Sequence, residues 1–188
     1  MNMRKISINE FKKRRFERSY ISVYIVIRSI SVENEQEIEV KNLCVIYGFT
    51  ALGVRRIIAI YFENTNDNRF WLGVFEDLKA RNLQNIMFLV TPQNKNIERC
   101  TKIIYNNIEI IRSPEDIMSA IDRYFATKTS RTLEIQLKNL ILAEDIEKCE
   151  ENIELFKQQY LHNRLVLEVF KRQEDDIKKL YKYNYDIR

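Results

Sequence analysis

Glycine and proline are nearly missing from this chain, with three and two in 188 residues. So few breakers predict long, uninterrupted helices and strands. Histidine occurs once, and Cys44, Cys100 and Cys149 are too widely spaced for a Cys-x-x-Cys pair. That excludes a zinc ribbon and a disulfide framework, and predicts three reduced, mostly buried thiols in a cytoplasmic protein. His162 has no neighbouring Ser or Cys for a triad and is expected on a surface helix. Gly48-Phe-Thr-Ala-Leu-Gly53 lacks the lysine and helix context of a phosphate loop. The longest largely apolar run, Ile21 to Ile27, is too short to cross a bilayer, and the N-terminal residues contain no apolar signal region. One further absence bears on chemistry: residues 20–30 and 86–97 contain no Asp or Glu.

Apolar residues make up 45% of the chain, with 10 Tyr and 10 Phe, ample for a core in one domain with an extension. The net charge of +4 is unevenly placed. Residues 1–19 hold seven basic side chains against Glu10 and Glu17, a balance of +5, which leaves −1 for residues 20–188. Lys12, Lys13, Arg14, Arg15 and Arg18 of this basic arm are candidates for contacting nucleic-acid phosphates; the alternative is a solvated tail. The arm is expected to be helical over Asn9–Arg18.

Tyr20–Ile30, rich in β-branched and aromatic residues, reads as a strand buried on both faces. Ser31–Gln36 reads as a polar turn, and Glu33, Glu35, Glu37 and Glu39 as a solvated acidic hairpin. Glu37–Tyr47 is a second strand whose alternation slips near Lys41–Asn42, predicting a bulge there. Arg55–Phe62 completes an antiparallel meander. The period then changes. Asp67 or Asn68 is placed to cap a helix in which Phe70, Trp71, Val74, Phe75 and Leu78 form one apolar face, with Asn82 as its stop. Trp71 belongs with that core face rather than to a base-stacking platform.

Ile86–Val90 is a buried strand, expected parallel to the one before the helix. A helix over Asn94–Tyr105 turns Ile97, Cys100, Ile103 and Ile104 inward, and a short strand, Ile108–Ile111, follows. Ser113-Pro114-Glu115-Asp116 starts another helix, carrying Ile117, Ile121, Tyr124 and Phe125. From Ser130 onward, apolar spacing predicts two or three amphipathic helices with a break near Tyr160–Asn163. Three strands followed by two crossover units is the order of a ribonuclease-H-like α/β fold. The expected organisation is an arm (1–19), that core (20–129) and a helical extension (130–188).

The segment from Arg55 to Val90 resembles the central part of the Mutator-type bacterial insertion-sequence transposases. The resemblance rests on Glu63, Asn64, Phe70, Trp71, Leu72, Val74, Leu78, Lys79 and Arg81, and upstream on Tyr24, Arg28 and Ala51-Leu52-Gly53. It implies DNA as partner and a phosphoryl-transfer site in which two aspartates and a glutamate hold two divalent cations. Carried across, the first aspartate falls on Ile21 and the second on Pro92, and the family's Cys and His fall near Ser113 and Asp116. The third acid would lie beyond Arg188.

No strand-end acids can therefore be paired from the first and fourth strands. The expectation is a transposase-related pseudoenzyme that needs no cofactor and at most binds DNA through its arm or binds a transposase. Mg²⁺ would enter only through a remodelled site, for which Glu63 and Asp116 are weak candidates beside Glu115. The competing expectation is a structural module that forms homodimers through its C-terminal helices, with no nucleic-acid role and no membrane.

Overall fold

The computed structural model describes residues 8–33, 38–63, 67–122 and 127–181. The elements run α1 (Ile8–Lys13), β1 (Ser19–Glu33), β2 (Ile38–Phe49), β3 (Arg55–Glu63), α2 (Asn68–Ala80), β4 (Asn85–Thr91) and α3 (Lys95–Ile104). They continue with β5 (Glu109–Arg112), α4 (Pro114–Asp122), α5 (Thr127–Ile141), α6 (Ile146–Gln159) and α7 (Arg164–Leu180). The five strands form one mixed sheet in the order β3-β2-β1-β4-β5. The expected meander is present, since β1 pairs antiparallel with β2, and β2 with β3. Strand β4 lies beside β1 and parallel to it, and hence parallel to β3 as well.

Two compact units divide the chain, Met1–Ile110 and Ile111–Arg188, and the division falls within β5. Helix α4 packs with α5 and α7, which places it with the helices that follow.

In the first unit α2 forms where the sequence predicts it. The Asp67 carboxylate accepts the Phe70 N–H at 2.8 Å, satisfying one free amide of the first turn. Asn82 stops the helix in a left-handed conformation, φ 83°. Trp71, Val74, Phe75 and Leu78 are buried against Val23, Ile25, Cys44, Ile46 and Leu89 of the sheet. Each such side chain contributes roughly 1.5–3 kcal/mol of transfer free energy. Helix α3 packs on α2 and buries Ile97 and Cys100; burial pushes the Cys100 thiol up. Ile103, expected inward, is exposed instead, because the inward face of the helix runs through Ile97, Cys100, Thr101 and Ile104 and Ile103 falls beside it.

Strand β1 departs from its predicted character. It runs on to Glu33, and burial ends near Ile27, so only its first half is a core strand. The reason is the reach of its neighbours: β4 pairs with β1 only as far as Tyr24, and β3 with β2 only to Asn42. Beyond them β1 and β2 continue as a two-stranded ribbon, with Ser31 opposite Val40 and Glu33 opposite Ile38. Ser31–Glu33 are therefore strand, not turn, while Glu35 and Glu37 lie outside the described residues. The predicted bulge at Lys41–Asn42 is also misplaced, since the β1–β2 register is continuous there. The irregularity lies in the β2–β3 pairing at Ile46/Tyr47, where β3 carries the extra residue Ile58. Gly48 sits where backbones converge: a Cβ there would come 2.8 Å from the Ser22 carbonyl oxygen.

In the second unit the helices after Ser130 number three, broken near Leu142–Asp145 and at the expected Tyr160–Asn163. Asp145 and Asn163 cap α6 and α7 by accepting the Lys148 and Val166 amides at 2.7 and 3.2 Å. Leu133, Leu137, Ile153, Phe156, Val169, Phe170 and Ile177 are buried, whereas Leu165 is exposed and Tyr160 half-buried. His162 is exposed in the turn after α6, one step off the helix on which it was expected. Tyr124 and Phe125, expected inward, lie outside the described residues. Cys44, Cys100 and Cys149 are buried, and no disulfide joins them. Among the described residues no helix is long and apolar enough to cross a membrane.

Glu174 joins α6 to α7 by accepting from Lys157 and Lys178, both at 3.1 Å. Burial alone would raise its carboxyl; the two ammonium groups outweigh burial and hold it below the usual range. A depressed carboxyl contributes stability above its unfolded value of about 4.3, and that contribution disappears as pH falls through the folded value. Thermal melting followed from pH 7 to pH 3 should show Glu174→Gln less stable than wild type at neutral pH and converging with it in acid. A constant gap would show that the ion pairs contribute nothing.

Candidate functional site

The two positions at which aspartates are expected lie on neighbouring strands but at different levels. Tyr20 pairs with Ile86 and Ser22 with Phe88, so Ile21 stands level with Met87. Pro92 follows β4, two residues beyond Val90, the partner of Tyr24. From 87 to 92 is five residues, roughly 16 Å along a strand. Metals bridging a phosphate stand only about 3.5–4 Å apart, so their ligands have to converge. Neither an Ile nor a Pro side chain carries a ligating oxygen. Ser22, next to Ile21, is fully buried, and its hydroxyl finds no hydrogen-bond partner among the described residues.

Of the remaining acidic candidates, Glu63 lies in the first unit and Glu115 and Asp116 in the second. Glu63 ends β3, and its side chain lies outside the described ones. Asp116 belongs to the second unit, where its carboxylate accepts the Arg112 Nε–H at 2.5 Å. The Arg112 guanidinium is buried; it also donates to Gln173 and lies 3.5 Å from the Asp176 carboxylate. The arginine thus ties α4 to α7. Glu115 is exposed on the first turn of α4. Among the described residues no group of three or more His, Cys, Asp or Glu side chains is placed to hold a metal ion.

The described part of the basic arm packs on the fold. Only Ile8–Lys13 are helical, a shorter stretch than expected, and the chain beyond them is held by side chains. Phe16 is a core residue, and its N–H donates to the Arg81 carbonyl at 2.9 Å. The Arg81 guanidinium stacks on the Phe16 ring at 4.2 Å and donates to the carbonyls of Phe11, Arg14 and Ile58 and to the Asp77 carboxylate. Asp77 in turn accepts the Tyr61 hydroxyl at 2.9 Å; burial and that bond push the Tyr61 hydroxyl up. Arg14 turns inward and donates to the Ile57 carbonyl of β3 at 2.7 Å. Lys12, Lys13, Arg15 and Arg18 remain exposed. Sequence reasoning missed Arg81 as an anchor. The available signal was the pair Phe11 and Phe16, apolar residues set among charges.

The whole described fold, and not only the central segment, matches a known family: residues 3–188 fit the description "Transposase, Mutator family". The chain belongs to the Mutator family of transposases. This Mutator-family chain is 24% identical over 161 residues to the transposase for insertion sequence element ISRM3 of Rhizobium meliloti (strain 1021). It is 22% identical over the same length to the probable transposase for insertion sequence element ISRM3-like of Sinorhizobium fredii (strain NBRC 101917 / NGR234). Each match takes in 82% of the chain and 38% of the relative, so the chain spans about 38% of the length of these transposases.

Two stretches shared with the Mutator-family pattern now have a structural account. The Phe-Trp helix supplies the core, with Trp71 fully buried, and its last signature residue, Arg81, anchors the arm. Ala51-Leu52-Gly53 forms the β2–β3 turn. Thr50 is buried, its hydroxyl accepts the Leu52 and Val54 amides, and Gly53 takes φ 71°. This rigid turn leaves Leu52 88% exposed at the end of the sheet where β3 begins.

Proposed function

We propose that the chain is a Mutator-family derivative that has lost the acidic metal ligands and acts, without catalysis, as a DNA-binding or transposase-interacting protein of the bacterial cytoplasm. The sheet order, with a meander and then β4 parallel to β1, supports a ribonuclease-H-like scaffold. One observation carries the loss of activity: Ile21 and Pro92 offer no ligating oxygen and stand five residues apart in register. The residues present do not fit a pair of divalent cations, so no phosphoryl-transfer step is assigned to this chain. DNA contact is supported by the exposed cations Lys12, Lys13, Arg15 and Arg18.

A strand-nicking and strand-transfer assay with Mg²⁺ and with Mn²⁺ tests the reading, and no product above background is expected. Metal-dependent cleavage that Glu63→Ala abolishes would overturn it in favour of a remodelled site.

A second reading is favoured by the second unit, whose surface exposes Ile135, Leu142, Leu155, Leu161 and Leu165. So many large apolar side chains on one helical unit suit contact with another chain, including a second copy. If the mass in solution is that of a dimer, and Leu155→Asp with Leu161→Asp returns it to a monomer, this reading gains. An unchanged mass would remove it.

A further inference from the structure

The arm and the start of β3 meet at one end of the sheet. β1 and β4 begin there, β2 ends there, and the Gln84 and Asn85 amides donate to the Arg18 carbonyl at 3.0 Å. Arg14 reaches the Ile57 carbonyl, two residues past Arg55. The Tyr20 hydroxyl reports the same closeness. Burial raises it and the Glu17 charge adds to that, while the Arg14 and Arg56 guanidinium groups both work against the rise. Geometry agrees: Arg56 pairs with Gly48, and the Tyr20 ring, two residues past Arg18, lies against Gly48. Arg55 is exposed and lies over the Tyr47 ring at 4.3 Å, which directs it to the side of the strand opposite Arg56 without neutralising it. Against these cations the arm sets only Glu10 and Glu17.

We propose that the arm is a docked part of one phosphate-binding surface that spans both sides of this end of the sheet. Arg81 holds it so that Lys12, Lys13, Arg15 and Arg18 stand with Arg55 and Arg56 at this end of the sheet, where they take the backbone of duplex nucleic acid. The proposal rests on the reading of the chain as a DNA-binding protein and adds which surface does the binding and what positions it. A flexible tail with the same charge would pay ordering entropy on binding; a docked arm has already paid it within the fold. Arg81 is a positioning residue. Its four acceptors (three backbone carbonyls and Asp77) match the planar fork of a guanidinium, and a lysine ammonium cannot reach them together.

The test is fluorescence anisotropy with the full chain and a short labelled duplex across a salt series. Each phosphate contact adds about −0.9 to the slope of log K against log salt. Arg55→Ala combined with Arg56→Ala should flatten the slope by about 1–2 and weaken binding on the order of tenfold. Lys12→Ala combined with Lys13→Ala should do the same. Arg81→Lys keeps the charge, yet should flatten the slope and speed hydrogen exchange at the arm amides. Phe16 and the other core side chains are unchanged in this variant, so it should still melt in a single cooperative transition. If the Arg55/Arg56 pair has no effect while the Lys12/Lys13 pair does, the arm binds alone. The docked surface is then wrong, although DNA binding stands. If Arg81→Lys loosens the arm without moving the slope, positioning by Arg81 is wrong. Absence of salt-dependent binding by the unmodified chain overturns both this inference and the DNA-binding reading beneath it.

Discussion

Trp71→Ala is expected to remove about 3–5 kcal/mol of stability, a large part of the 5–15 kcal/mol typical of a folded domain. Trp71 is fully buried, its ring meeting Phe70 edge-on at 5.1 Å and lying tilted against Phe75 at 6.1 Å. Truncation removes the transfer free energy of the largest side chain in the core and leaves a cavity beneath α2. The surroundings cannot readily close over it, because α2 is held at both ends. Asp67 fixes its first turn, and the bonds of Arg81 fix its last. Urea unfolding followed by far-ultraviolet circular dichroism gives the number; fluorescence cannot, since the sequence has a single Trp. Phe70→Ala, at a half-buried position on the same helix, should cost clearly less. Equal costs would mean that exposure is not what ranks these residues.

The second large effect is expected at Arg112. Its guanidinium is buried between the Asp116 and Asp176 carboxylates and the Gln173 amide. Arg112→Ala takes the guanidinium from Asp116 and leaves Asp176 with Lys179 at 3.5 Å, in a partly desolvated place, and breaking a buried pair in this way costs about 3–5 kcal/mol. The side chains of Asp116 and Asp176 are 19% and 23% exposed, so water relieves part of this and the lower end of the range applies. The mechanism has a signature. Adding Asp116→Asn and Asp176→Asn to Arg112→Ala should recover most of the loss at pH 7. Failure of the triple variant to recover would assign the cost to lost packing of the arginine stem.

What was legible in the sequence, and what was not, divides along physical lines. Helix α2 was legible because its cap, its apolar spacing and its stop are local signals that agree: Asp67, Trp71 through Leu78, and Asn82. The length of β1 as a core strand was not. Ile25, Ile27, Ile30 and Val32 look alike in composition, and their burial depends on where β4 and β3 stop pairing, which belongs to other parts of the chain. The bulge was misplaced for a related reason. The slip in alternation near Lys41 reflects the change from sheet to ribbon, whereas Ile58 is buried beside Ala59, and a sequence read as regular alternation conceals that. The lack of acids at Ile21 and Pro92 was plain from residue types alone, but the five-residue offset between them is a property of register. Arg112 was overlooked as a partner of Asp116, although their four-residue spacing was visible.

The docking of Phe16 also shifts where the independently stable piece of this chain begins. By charge and composition the first nineteen residues look detachable, and a natural place to trim would be just before Tyr20. Phe16 nevertheless fills a place in the same apolar cluster as Trp71 and Leu78, and Asn82 donates to its carbonyl at 3.0 Å. Shortening the gene from its 5′ side would therefore open the core and unhook the end of α2 in a single event. Charge-altering substitutions at the exposed Lys12, Lys13, Arg15 and Arg18 would leave the fold in place. The arm's charge can drift through many sequences, while its phenylalanine cannot.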